Sequence, residues 1–279
     1  MTDEFFGFGA LPQAVAGKIV ADEVGLEYGI HGDYRLRCTV QPIFRHEDGQ
    51  LTPIAVSGQT VPHLRNVPVA LSEFLAGVAA EDRGLVARVC AVLPLANVHN
   101  IGVDDVSLMF RHDAAAGTGA VEDLRFMVER LGGEGFEPSR LICEVPGGDH
   151  ALAAELKALG LHVALGVYGA GLPDVDVVKR MDADIVRLDR GSFERFCADV
   201  ATGRLLRPVV SELKAQGVLV LVEGIDSESR LEIALAAGID LLQGDLLEPA
   251  MLVGSLFEEQ PREAADFRHG DCVVIPLFG

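Results

Sequence analysis

At 279 residues, 49% of them hydrophobic, the chain is long enough to bury a large core as one α/β domain. Its 42 Asp and Glu against 23 Lys and Arg leave a formal charge of −19, which repels phosphate backbones and anionic lipid alike. With the basic residues dispersed in runs of no more than two, neither a nucleic acid nor a membrane surface is an expected partner.

In chain order, residues 1–34 form an N-terminal extension, expected to pack on the domain because Phe5, Phe6 and Phe8 are costly to leave in water. A short helix is predicted around Gln13–Glu23. The alternating stretch Arg35–Phe44, the turn His46-Glu47-Asp48-Gly49 and the return Leu51–Ser57 predict an antiparallel hairpin, since Asp-Gly favours a tight two-residue turn. Val61–Pro68 is a Pro-containing loop. Helical spacing follows over Leu71–Ala80 and Arg83–Leu93, then a strand over Val106–Phe110, a small-residue loop over Ala114–Gly119, and a helix over Val121–Leu131 ended by Gly132-Gly133.

From Leu141 to Gly244 the pattern becomes regular. Short apolar runs end in a polar residue: Leu141-Ile142-Cys143 in Glu144, Asp184–Leu188 in Asp189, Val218–Val222 in Glu223-Gly224, and Asp240–Leu242 in Gln243-Gly244. Leu161–Leu165 is the exception and runs into Gly166-Val167. Helices are predicted between them over Ala151–Leu159, Ser192–Gln216 and Ser227–Ala237. Such alternation describes βα units on a parallel sheet, closing as a (β/α)8 barrel whose strand ends share one rim. A short helix near Met251–Phe257 and the apolar Cys272–Phe278, an added strand or a tail, complete the chain. The expected division is 1–34 extension, 35–260 barrel and 261–279 tail, in one domain.

Five scattered cysteines with no CxxC predict buried free thiols rather than a zinc ribbon or redox pair. Eight histidines without HxH or HExxH spacing, and no GxSxG or Walker-type loop, set aside zinc, serine-hydrolase and P-loop chemistry. No apolar run approaches the roughly 18 residues of a membrane helix, and Met1-Thr2-Asp3-Glu4 lacks the basic start of a secretory signal. The expected location is the cytoplasm.

Taken in order, Gln41-Pro42-Ile43, Glu144, Gly169-Ala170-Gly171, Arg187-Leu188-Asp189-Arg190, Val222-Glu223-Gly224-Ile225-Asp226 and Gln243-Gly244 resemble the EAL family over roughly residues 35–255. These are bacterial domains that hydrolyse cyclic di-GMP to the linear dinucleotide. The resemblance implies a TIM-like (β/α)8 barrel with an antiparallel first strand, and hydrolysis on two Mg²⁺ or Mn²⁺ ions. It places the signature Glu-Ala-Leu on Ile54-Ala55-Val56, a phosphate-side arginine on Gly58, a ligand asparagine on Phe110 or Met109, and paired metal-binding aspartates on Gly166-Val167. Glu144 then matches a first-metal ligand, Asp189 lies near the second metal, Glu223 matches the general base, Arg187 replaces a lysine, and Asp226 replaces a glutamate. Three of the first metal's four side chains carry no oxygen, so no two-metal catalysis and no cofactor are expected; Mg²⁺ or Mn²⁺ enters only if the chain is an enzyme after all.

Two readings of the remaining acids stand side by side. Glu144, Asp189 and Glu223 are a residual metal site, or they join Arg187 in a salt-bridged network that stands in for the ions; the network is preferred. Gln41, Asp226, Gln243 and Gly244 are the candidate ligand contacts. For Gln41 the alternative is a hydrogen bond to the barrel floor, and for Asp226 it is an N-cap. Gly169 and Gly171 serve a loop that needs glycine backbone geometry. The expected function is a catalytically silent EAL-like module that meets an unknown protein partner in cyclic di-GMP-related signalling, with a homodimer left open. The alternatives are a non-hydrolysing cyclic di-GMP receptor and a weak metal-dependent phosphodiesterase.

Overall fold

Asp48 and Gly49 turn the chain with φ of 50° and 84°, the two left-handed residues that a tight hairpin between right-twisted strands requires. Around that turn β1 (Tyr34–Glu47) pairs antiparallel with β2 (Gln50–Leu64) along its whole length. The computed structural model describes residues 11–102, 105–117, 119–147, 149–167 and 175–267. The aromatic segment Phe5–Gly9, the Gly169–Gly171 loop, Cys272 and the apolar Cys272–Phe278 lie outside them.

Six further strands continue the sheet in parallel: β3 (Ser107–Arg111), β4 (Leu141–Pro146), β5 (His162–Val167), β6 (Ile185–Leu188), β7 (Leu219–Glu223) and β8 (Leu241–Gln243). β8 then pairs antiparallel with β1, which closes an eight-stranded mixed barrel with its first strand reversed. This is the α/β architecture expected from the alternating runs. Closure leaves no free edge in the barrel wall.

Around the barrel stand α1 (Arg83–Ala96), α2 (Gly119–Gly133), α3 (His150–Ala158), α4 (Val175–Met181), α5 (Arg190–Cys197), α6 (Val200–Lys214) and α7 (Glu228–Ala237). Alternate residues of every strand face these helices and form the main core, from Leu36, Cys38 and Val40 on β1 to Val220 and Val222 on β7. Among the described residues no helix is long and apolar enough to cross a membrane.

Several boundaries differ from the sequence reading. The helix expected over Ser192–Gln216 is two helices, because the Asp199 carboxylate takes the backbone N–H of Ala201 (2.8 Å) and Thr202 (2.9 Å) and starts a new helix there. Val61–Pro68 is no loop: β2 runs on to Leu64, turns at Arg65 and Asn66 (φ 51° and 68°), and Val67–Pro68 pairs back. The first helix is confined to Gln13–Ala16, followed by a strand at Ile19–Ala21. Met251–Phe257 holds no helix; Met251–Leu252 pairs with Thr39 and Val40 of β1. Gly132 and Gly133 stay helical, and the chain turns later, at Gly135 with φ of 88°.

Past the rim, the hairpin continues above the barrel. There Tyr28–His31 pairs with Tyr34–Arg37 and Ile19–Ala21 pairs with Glu27–Gly29, so the N-terminal residues widen the hairpin into a small antiparallel sheet beside the mouth.

Candidate functional site at the barrel mouth

Each barrel strand sends every second residue inward, and the inward residues stack in layers. The lower layer is Ile43, Ala55, Met109, Ile142, Ala164, Ile185, Leu221 and Leu241, all buried and all apolar. Two residues further toward the mouth on the same strands come Gln41, Ser57, Arg111, Glu144, Gly166, Arg187, Glu223 and Gln243. One step of the pleat therefore takes the interior from hydrocarbon to charge.

Arg187 ties this upper layer together. Its Nη1 donates to Glu144 Oε2 and its Nη2 donates to Glu223 Oε1, so one guanidinium is gripped by two carboxylates. Gly166 on the intervening strand adds no side chain, which lets the guanidinium reach across β5 to Glu144. Glu144 is 3% and Arg187 8% exposed. Burial pushes the Glu144 carboxyl above its ordinary range, although Arg187 and Arg111 pull it down. Burial also pulls the Arg187 guanidinium down, but Glu144 and Glu223 outweigh it and hold it protonated. Three polar atoms of the layer, Glu144 Oε1, Arg187 Nε and Gln243 Oε1, are buried without a hydrogen-bond partner.

The remaining candidates divide by geometry. Gln243 Nε2 donates to the Gln41 carbonyl at 3.1 Å, and Gln41 Nε2 donates to Asp245 Oδ1 (3.0 Å) and the Glu248 carbonyl (3.1 Å), so both glutamines are tied to the barrel wall. A Cβ on Gly244 would lie 2.1 Å from the Ile225 carbonyl oxygen, so only glycine allows the β7 and β8 loops to approach as they do. Asp189 caps α5 by accepting the Ser192 N–H at 2.8 Å, and its side chain serves the helix start. Asp226 does not take the N-cap role offered as its alternative. Ser227 caps α7, while Asp226 accepts Arg190 Nη1 (3.0 Å) and Arg230 Nη1 (2.7 Å) in an ion-pair chain along the rim.

A β-bulge explains where the sequence alignment slipped. Ile43 pairs with Ala55 and Phe44 with Pro53, leaving Ile54 as the extra residue, and one extra residue reverses which face each following side chain takes. Ala55 takes the place in the lower layer, and Ile54 packs against that layer half-buried. Gly58 faces outward, where a Cβ would meet Pro94 Cβ at 2.7 Å. On the third strand Phe110 is buried in the outer core and Met109 belongs to the lower layer. The rim position is Arg111, which the sequence reading passed over; its signal was the spacing of two from Met109.

These side chains floor a cavity of about 1010 Å³ that runs from Gln41, Glu144, Arg187 and Glu223 sideways to Thr60, Leu71, Leu75, Arg83 and Cys90, with Arg111 and Arg190 at its edge. Cys90 is no nucleophile, since burial pushes its thiol up to about 12. Cys38, Cys90, Cys143 and Cys197 are all free. Among the described residues, no group of three or more His, Cys, Asp and Glu is placed to hold a metal ion.

Residues 78–250 match the family model described as EAL domain. The bifunctional diguanylate cyclase/cyclic di-GMP phosphodiesterase MucR of Pseudomonas aeruginosa is 27% identical over 156 residues, which is 53% of this chain and 22% of that protein. The chain thus spans less than a third of the length of the curated relatives it matches. In structure it is similar to the MucR phosphodiesterase in complex with c-di-GMP, with a TM-score of 0.67 at 23% identity, covering 78% of this chain and 92% of that one. A standalone EAL protein from Vibrio cholerae in its c-di-GMP-bound form gives a TM-score of 0.66 at 18% identity, covering 86% and 100%.

Proposed function

The chain belongs to the EAL domain family, and from that premise we propose that it is a catalytically silent member, a regulatory or protein-interaction module in cyclic di-GMP-related signalling. The observation that carries this reading is the Arg187 guanidinium held between Glu144 and Glu223. Two divalent ions need several oxygen ligands converging on one spot. Here both carboxylates of the layer are engaged by a cation of the protein's own, and Arg111 adds a second positive charge beside them. The positions that would supply further ligands hold Ala55 or Ile54, Met109 or Phe110, and Gly166-Val167, none with an oxygen in its side chain. The residues present do not fit a two-metal centre. The slip of register at Ile54 does not alter this, because Ala55 is no better a ligand.

A second reading is favoured by the arginines alone. Arg111, Arg187 and Arg190 line the mouth of an otherwise acidic chain, and two structures similar to this one hold c-di-GMP. A metal-independent receptor for the dinucleotide would use these guanidinium groups as donors, with Arg187 and Arg190 drawn in part from the acids that they now pair with.

Calorimetric titration with cyclic di-GMP, with and without Mg²⁺ or Mn²⁺, together with a product assay, tests both. Absence of heat and turnover in every buffer is the expected outcome. Heat that does not depend on metal would move the conclusion to the receptor, and metal-dependent formation of linear dinucleotide would overturn both. The protein partner is then sought by capture with the Arg187→Met variant as control.

A further inference from the structure

Away from the mouth, the molecule buries another carboxylate. Glu27 opens the strand Glu27–His31, is 5% exposed, and leaves its Oε2 without a hydrogen-bond partner. Its backbone is clamped by the fully buried Asn97, which accepts the Glu27 N–H at 3.0 Å and donates to the Glu27 carbonyl at 2.9 Å. With the strand in place, its Oε2 is held out of reach of both water and a protein partner.

The charged groups around it come from three directions. Helix α2 supplies Arg130, whose Nη1 also lacks a partner, and Glu134, which accepts Arg130 Nε at 3.0 Å. The turn Val98–Asn100 supplies His99, whose Nε2 lies 2.7 Å from Glu134 Oε2. On the opposite side Asp22, Tyr28, Arg35, Arg37 and Cys38 share with Glu27 the wall of a cavity of about 140 Å³. Burial pushes the Glu27 carboxyl up to about 7; Arg130 pulls it down and Glu134 pushes it up.

We propose that Glu27 is the pin of a proton-operated strap, the N-terminal strand lying docked on the barrel while the carboxyl carries its proton and loosening when the carboxyl ionises. A carboxylate buried without a hydrogen-bond partner is disfavoured, whereas the acid form is tolerated, and Arg130 offsets only part of that cost. Because the proton is held more tightly in the docked state, docking is firmest at low pH and weakens as pH rises through about 7.

The strap has a path to the mouth. Its last residue, His31, meets Phe74 edge-on at 5.8 Å, and Tyr34 of β1 meets the same ring at 4.9 Å. Phe74 sits in the helix Leu71–Gly77, whose Leu71 and Leu75 line the large cavity. Loosening the strap therefore removes one of the two aromatic contacts that hold this side wall of the mouth, whatever the mouth binds.

Amide hydrogen exchange, corrected for its intrinsic pH dependence, tests the proposal in the full chain at about pH 5.5 and about pH 8.5. Protection over Glu27–His31 is expected to fall roughly tenfold or more relative to β8, and Glu27→Gln to keep it at the higher pH. The Glu27 carboxyl carbon, followed by NMR in the unaltered protein, should titrate near 7. A midpoint in the ordinary carboxylate range, or equal relative protection at both pH values, overturns the strap whether or not the variant folds.

Discussion

The two layers of the barrel interior lie two residues apart on the same eight strands, and they are opposite in kind. The lower one is hydrocarbon throughout. The upper one holds two glutamates, two arginines and two glutamines, with a serine and a glycine. Backbone geometry cannot be the cause, since the strands continue unbroken from one layer to the next. What differs is the work each layer does. Packing in the lower layer stabilises the barrel by removing apolar surface from water, about 25 cal/mol per Å². The upper layer gains little of that and spends stability on holding charge at the mouth. The comparison teaches that this fold is fixed from below, which leaves the chemistry of its rim free to change without loss of the barrel.

The sharpest way to break that comparison is to remove the cation on which the upper layer depends. Arg187→Met leaves Glu144 and Glu223 facing each other with only Arg111 nearby as a counter-charge, and breaking a buried pair from one side costs about 3–5 kcal/mol. Urea unfolding should register that loss. Replacing all three residues together (Glu144→Gln, Arg187→Met, Glu223→Gln) should recover most of it, because no lone charge is then buried. If the triple variant is as unstable as the single one, the upper layer is a packing layer after all.

A smaller effect concerns pH. Burial holds the folded-state Glu144 carboxyl above its ordinary range, so the folded protein binds that proton more tightly than the unfolded chain does. Its contribution to stability is fully present below the ordinary carboxylate range and is lost as pH rises through the folded-state value. Glu144→Gln carries no titrating group at this position. The stability of the unaltered protein relative to this variant should therefore fall between acid and neutral pH, as read by unfolding midpoints at each pH. A difference that does not change with pH would show the Arg187 contact cancelling burial, and one that rises with pH would show it outweighing burial.

These layers also mark how far the sequence could be read. The barrel was legible because strands repeat with period two and helices with period 3.6, and because Asp48-Gly49 permits one kind of turn. Glu144, Arg187, Glu223 and Gln243 could be found as strand-end residues for the same reason. Ile54 and Gly58 misled because a bulge inserts one residue into the alternation, a backbone event with no residue type of its own. Arg111 was missed because the apolar run before it ends at Phe110, which faces the helices. Counting inward from Met109 by two would have reached it. Asp189 was legible as a strand-end acid, yet the chain turns into α5 at that point, and a carboxylate beside a free helix start is drawn to its N–H groups.

The mildest test acts on the lower layer alone. Ile185 sits on β6 two residues below Arg187, and Ile185→Val removes one methyl group from the apolar ring. Such a deletion costs about 0.5–1.5 kcal/mol when the neighbours relax only in part. If the lower layer is scaffold and nothing more, the variant loses that stability while its response to cyclic di-GMP, heat or none, stays that of the unaltered protein. A change in ligand response with so small a change in stability would mean that packing below positions the arginine above. The two layers would then have to be treated as one site.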